Sequence, residues 1–541
     1  MAINKAELEF DVVVLGSGAS GLTAGLTAAQ AGLSVLILEK SDLIGGTSAM
    51  SGAGVWIPAN HFMLEKGLKD SPEQALNYIK AVLPDEWSNR EMPRWQAFVD
   101  HGPAMLRMVD DLTPIEFEIL SEPDPELEVE GSVKYGRMVS PAPMKLKDAI
   151  GPLAKKLRPS TQPHELTYEE MIWANFIHKP VTGHIRQAPK ILKRKLGGYE
   201  TQGSALIAGL LRGCFDHGAE LRTEAAASNL IQNEAGDVVG VAFEEKGERK
   251  TVTARRGVVL ATGGFEWDET EFRSEFPGPV DLICSPRTNT GDGQRMAKAA
   301  GAELHHMDQM NIAGALPVKY ENEVHGMPLR FQADRHAIVV NKYGRRFGNE
   351  LDFNFGERLL ERNPQTGEYL NLPAWVVGDM ATLKHTPILS VFARNQKGWM
   401  RRARSLSELA KKIDLPPAEL EATVERYNGF AQAEKDEDFG RGEPGYDRLI
   451  TGKAGAMAEI KYPAYIAMPF NISLMSTKGG PMTDAEGRVT RADGSTLPGL
   501  FAAGVVMANP FGTRAVGTGT TIGPAMTWGY ICGLTLSAGR K

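Results

Sequence analysis

Three features near the N-terminus have the types and spacing needed to bind a phosphate-bearing ligand. The first is the run Gly16-Ser17-Gly18-Ala19-Ser20-Gly21, which directly follows the apolar stretch Asp11–Leu15. Gly16 permits a tight strand-to-helix turn, Gly18 lets bare backbone approach a pyrophosphate, and Gly21 lets the helix lie close to the strand. Ala19 and Ser20 then fall in the first helical turn, where unpaired N–H groups and a partial positive charge face an anion. The second feature is Glu39, with Lys40 beside it, at the end of the apolar run Ser34–Leu38. A carboxylate there accepts both hydroxyls of an adenosine ribose. The third is a Gly/Ser loop at 45–54, in which Gly46, Thr47, Ser48, Ser51, Gly52 and Gly54 supply small side chains and hydroxyls for the rest of a dinucleotide.

The elements that must carry these groups read as a βαβ start: a strand buried on both faces, an Ala-rich helix closing at Gly32, and a second strand. The chain has 541 residues, more than one core usually organises, so two to four domains are expected. A further buried strand runs into Gly263-Gly264, and Asn289-Thr290-Gly291-Asp292-Gly293 opens another helix. Residues 405–435 carry helical periodicity broken at Pro416-Pro417. Residues 135–200 are rich in Lys and Arg among apolar residues; they read as a solvated helical insertion, with peripheral membrane contact as the less favoured alternative. The net charge of −7 gives no reason to expect nucleic acid. Cys214, Cys284 and Cys532 make neither a disulfide framework nor a metal knuckle, and no metal site is expected. Without a signal-peptide core in the first ten residues or a long apolar window, a cytoplasmic protein is the expectation.

The loop GGTSAMSGAGVWIPAN, together with the GxGxxG start, resembles the flavoprotein family of fumarate reductases and 3-ketosteroid dehydrogenases, and is most similar to the ketosteroid Δ1-dehydrogenase branch. The resemblance implies an α/β fold: a Rossmann-like FAD-binding domain interrupted by an α+β substrate-capping domain. It implies boundaries at 1–280 for the first FAD-binding part (helical insertion at about 135–200), 281–455 for the cap and 456–541 for the return. It also implies FAD, held non-covalently because no His stands in the 45–54 loop. By resemblance, Ala261, Thr262, Gly263, Asp292 and Gly504 belong to the cofactor site, with Thr521 and Ile522 at the flavin's pyrimidine end.

Two departures from the family bear on chemistry. Four residues past the Glu of the "GRRFxNE" element, where reductases carry a proton-donating Arg and the Δ1-dehydrogenases a Tyr base, this chain has Asn354. In the C-terminal loop Gly519 matches the Gly whose N–H holds the substrate ketone, but Ala515 stands where a second donor, a Tyr, is expected. Arg514, next to it, is suited to a carboxylate. The missing base has open candidates in Tyr320, Tyr343, Tyr462, Tyr465, His325, His336 and Asp352, with Tyr343 in the GRRFxNE turn named as catalytic beside Gly519, Arg514 and Asn354. The resemblance therefore implies α,β-desaturation of a cyclic ketone, either a 3-ketosteroid or a smaller keto acid such as 4-oxocyclohexanecarboxylate. Reduction of an unsaturated carboxylate is the alternative within enzymes, and an electron-relaying or structural flavoprotein the alternative outside that chemistry. The electron acceptor (oxygen, quinone or carrier) leaves no mark in the residues.

Overall fold

The computed structural model describes residues 8–538. Its central sheet follows the order Arg488–Thr490, Thr496–Ala502, Glu248–Leu260, Leu8–Leu15, Val35–Leu38, Glu220–Arg222. The inner pairs are parallel, with Val13 opposite both Val258 and Leu36, so the strand is enclosed on both sides. Val12, Val13 and Val14 are fully buried, which accounts for the unbroken apolar run in the sequence.

Helix Ala19–Gln30 packs against the last helix, Ile522–Ser537, through close backbone contact. A Cβ added to Gly529 or Gly533 would come within 2.3–2.4 Å of atoms on the first helix. The N- and C-terminal parts thereby form one core. The 28-residue helix Asp85–Leu112, with Pro93 and Pro103 inside it, supports the C-terminal loop from the other side. Trp95 Nε1 donates to Pro510 O at 2.8 Å and Arg94 to Ala508 O at 2.6 Å, while Tyr78, on the preceding helix Pro72–Val82, donates its hydroxyl to Val516 O at 3.0 Å.

The interrupting region is built on an antiparallel sheet ordered Ala337–Val340, Trp375–Gly378, Tyr465–Pro469, Arg401–Ala403. Side-chain alternation divides its two faces. Ala337, Val339, Val376, Ile466 and Met468 join the cluster around Phe331, Phe355 and Trp399. Ile338, Val340, Val377 and Ala467 instead pack under Leu409, Leu420 and Tyr427, from helices Leu406–Lys412 and Pro417–Ala433. The strands Tyr465–Pro469 and Ile472–Thr477 pair with Trp375–Gly378 and Val280–Ile283, across the boundary expected at residue 455. That boundary rests on non-local pairing, which local sequence does not display.

The GRRFxNE element is the lock of this region. Glu350 is fully buried, and it accepts from Arg346 at 2.8 Å, Arg441 at 3.0 Å and the Val339 N–H at 3.2 Å. Burial alone would raise its pKa, but the two guanidinium groups hold it below the ordinary value. The lock fixes where the following loop, 351–357, enters the site. The insertion is helical from Leu146 and includes Tyr168–Ala174 and Pro180–Gly197, the latter showing Val181, Ile185, Leu192 and Leu196 to solvent. Among the described residues, no helix is long and apolar enough to cross a membrane, and all three cysteines are buried and free.

Candidate functional site

A cavity of about 610 Å³ runs from the C-terminal ends of the parallel strands to the interface with the cap and the insertion. At one end the glycine loop forms its floor. Gly16 has φ +109°, and a Cβ there would lie 2.3 Å from Ala261 O, so only glycine fits the crossing of these two strands. Gly18 and Ser20 line the cavity; Ala19 and Gly21 do not. Ala19 N–H donates to Ser48 Oγ at 3.2 Å, joining the helix to the second loop, while a Cβ on Gly21 would strike Gly16 O at 2.1 Å. Glu39 also lines the cavity, its carboxylate held by the Ser17 hydroxyl at 2.6 Å and the Ser41 N–H at 2.9 Å. Lys40 forms an ion pair with Asp292 at 2.5 Å across the cavity wall.

Gly46, Thr47, Ser48, Ser51, Gly52, Gly54, Ala261, Thr262, Gly263, Gly504, Thr521 and Ile522 all line the same space. Two observations test whether a flavin dinucleotide suits it. Thr262 Oγ1 is buried without a protein partner, and helices Ala19–Gln30 and Ile522–Ser537 both begin at the cavity without a capping bond from their own N-cap residues. These orphan donors meet the needs of a ligand with a pyrophosphate and a polar ring edge. Among the described residues no histidine lines the cavity, so the histidyl attachment found in part of the family has no residue to use.

At the other end lie the groups that would meet a substrate. Gly519, with φ +90°, packs on Gly54 and Trp56, and among the described residues its N–H donates to no acceptor in the chain. Asn354 lines the cavity, but its side chain is committed: Nδ2 donates to Ala515 O at 3.0 Å and Oδ1 accepts from Ala515 N–H at 2.9 Å. It is a clamp between cap and C-terminal loop.

Arg514 lies outside the lining and turns toward Glu357, its Nε 3.5 Å from the carboxylate. Tyr343, expected to be catalytic, is 51% exposed in its turn and does not reach the cavity. Nor do the other six candidates for the base: Tyr320 is tied to Pro159 O at 3.0 Å, Tyr462 is surface-exposed, and Tyr465, His325, His336 and Asp352 lie outside the lining.

Lining residues without a signal in the sequence include Glu122, Tyr168, Arg330, Glu357 and Tyr446. Arg330 stands between the rings of Phe353 and Tyr446, 5.6 and 5.7 Å from their centroids. It donates to Tyr446 Oη at 2.9 Å and to the carbonyls of Leu351 and Asp352. Its Nε is buried without a partner, and among the described residues no carboxylate lies within ion-pair distance of it. Glu122 accepts from Thr518 Oγ1 at 3.2 Å. Burial raises its pKa, against the Thr518 hydroxyl and the Arg330 charge. Glu357 is likewise raised by burial, with Arg514 opposing.

The family pattern described as "FAD binding domain" matches residues 11–522. Over 98% of its length the chain is 35% identical to a 4-oxocyclohexanecarboxylate 2-dehydrogenase of Sinomonas cyclohexanicum, covering 93% of that protein. It is 33% identical to a 3-oxosteroid 1-dehydrogenase of Mycolicibacterium smegmatis, covering 98% of this chain and 97% of that one. The solved 3-ketosteroid Δ1-dehydrogenase of Sterolibacterium denitrificans superposes with a TM-score of 0.87 at 29% identity, over 98% of this chain and all of that one. The glycine floor, the orphan donors and these full-length likenesses agree: the chain belongs to the FAD-binding flavoprotein family, as an FAD-dependent dehydrogenase acting on CH–CH bonds.

Proposed function

We propose that the protein desaturates a small cyclic ketone bearing a carboxylate, with FAD supplying the hydride acceptor when bound. The observation that carries this reading is Arg330, a cation lining the substrate end of the cavity with a buried, unpartnered Nε. Arg330 is half-buried and has no ion-pair partner among the described residues, and a substrate carboxylate would supply one. A steroid nucleus offers Arg330 no such group. The ketone oxygen would sit on the Gly519 N–H, which draws charge onto oxygen as the α C–H bond weakens. The likeness to the 4-oxocyclohexanecarboxylate enzyme favours the same substrate class.

Anaerobic mixing of the flavin-loaded enzyme tests this. 4-Oxocyclohexanecarboxylate should bleach the flavin absorbance, and a 3-ketosteroid should not. Bleaching by the steroid alone would make Arg330 a structural cation and overturn the keto-acid reading.

A further inference from the structure

We propose that Glu122 is the base that removes the α-proton from the substrate ring. The assignment rests on the ketone-desaturation reading and adds the group it lacks. Desaturation takes a proton and a hydride from adjacent carbons, so a proton acceptor must stand close to the carbonyl anchor. Asn354 accepts no proton, and both ends of its amide are already bonded to Ala515.

Among the cavity-lining carboxylates, Glu39 and Asp292 belong to the nucleotide end. Glu357 faces Arg514, which leaves Glu122. Its carboxylate is bonded to the hydroxyl of Thr518, the residue directly before Gly519, and is thereby tethered to the ketone anchor. Among the described residues it has no ion-pair partner, so it retains lone pairs for a substrate proton. Tyr168 and Tyr446 also line the space, but burial raises both phenols further from ionisation, and Tyr446 Oη already accepts from Arg330.

In the step, the α C–H bond breaks and a new O–H bond forms on Glu122. The C–H electron pair becomes the enolate, whose oxygen the Gly519 N–H holds. FAD, when bound, would serve as the two-electron acceptor for the β-hydrogen as the enolate becomes the enone; Glu122 then returns its proton to solvent. The groups facing Glu122 are Thr518 from the C-terminal loop, Arg330 and Tyr446 from the cap, and Tyr168 and Glu169 from the insertion. Burial shifts Glu122 upward, which brings a carboxylate closer to the basicity that proton abstraction needs.

The test separates proton transfer from redox chemistry. With the flavin held reduced in D₂O, hydride transfer is blocked, and NMR follows exchange of the α-hydrogens of 4-oxocyclohexanecarboxylate. Glu122→Gln should slow both this exchange and flavin bleaching by about 100-fold or more, while calorimetry with 4-hydroxybenzoate shows unchanged affinity. Glu122→Asp should recover part of the rate. Thr518→Val removes the bond that favours ionised Glu122, so the acidic limb of the bleaching rate should move to higher pH. Exchange at the wild-type rate in Glu122→Gln, or an unmoved limb in Thr518→Val, overturns the assignment alone. A wild-type enzyme that neither exchanges nor bleaches with the keto acid overturns the substrate reading and the assignment with it.

Discussion

Replacing Arg330 with Gln tests the origin of substrate choice most directly. Three of the five guanidinium donors are used inside the protein, by Tyr446 Oη and the carbonyls of Leu351 and Asp352, which leaves Nε and the second N–H of Nη1. A charge-assisted bond from the remaining guanidinium donors to a substrate carboxylate is worth about 1.5–3 kcal/mol, or roughly 10- to 150-fold in kcat/KM. Gln removes the charge and shortens the reach. It also disturbs the 351–354 loop, so the loss on the acid alone would mix binding with general damage. The methyl ester of the same keto acid removes that ambiguity, because it needs the loop but not the charge. The quantity to measure is therefore the ratio of kcat/KM for acid over ester, by anaerobic flavin bleaching. That ratio should fall by about 10-fold or more in Arg330→Gln and stay at its wild-type value in Arg514→Gln. Equal losses on acid and ester, or a ratio that responds to Arg514 instead, would refute the reasoning.

Other outcomes follow from the same geometry. Gly16→Val, with its Cβ forced to within 2.3 Å of Ala261 O, should yield protein without bound flavin, read as the ratio of 450-nm to 280-nm absorbance. Asn354→Ala leaves the Ala515 N–H and carbonyl unpaired; a loss of about 1–3 kcal/mol of stability is expected, seen as a lower thermal midpoint. Lys478 is buried, and desolvation lowers its pKa to about 8 from 10.5, with Glu357 opposing. Between those values the unfolded chain binds the proton and the folded one does not, so stability should rise with pH across that window; Lys478→Met should flatten the rise in denaturant titrations at pH 8 and 10. Glu170 has a pKa lowered to about 2, where the Arg194, Lys190 and Thr167 contacts outweigh burial. Glu170→Gln should speed hydrogen exchange across helices Tyr168–Ala174 and Pro180–Gly197.

The nucleotide half of the site was legible because its determinants are local. A strand, Gly16, Gly18, a helix and Glu39 follow one another within thirty residues, and each residue type reports a backbone need. The substrate half is assembled from distant segments. Glu122 comes from an irregular stretch, Tyr168 from the insertion, and Arg330 and Tyr446 from separate parts of the cap, and none carries a local pattern. Arg514 drew attention through its place in a familiar loop, yet the side chain points to Glu357. Asn354 was identified as a departure, but its use as a clamp depends on a contact across 161 residues. The cap boundary is hard to read for the same reason, since strand Tyr465–Pro469 declares its sheet only by pairing with Trp375–Gly378.

The clamp bears on how this sequence can vary. By the resemblance to the Δ1-dehydrogenases, Asn354 and Ala515 stand where tyrosines are expected, and here one side chain and one backbone complete each other. Tyr at 354 alone would strand the Ala515 amide, while a large side chain at 515 alone would meet a neighbour already fixed in place. The two positions should therefore be epistatic, each single exchange costing more than the pair. A lineage passing between the two kinds of site would have to cross a fitness valley or change both residues together.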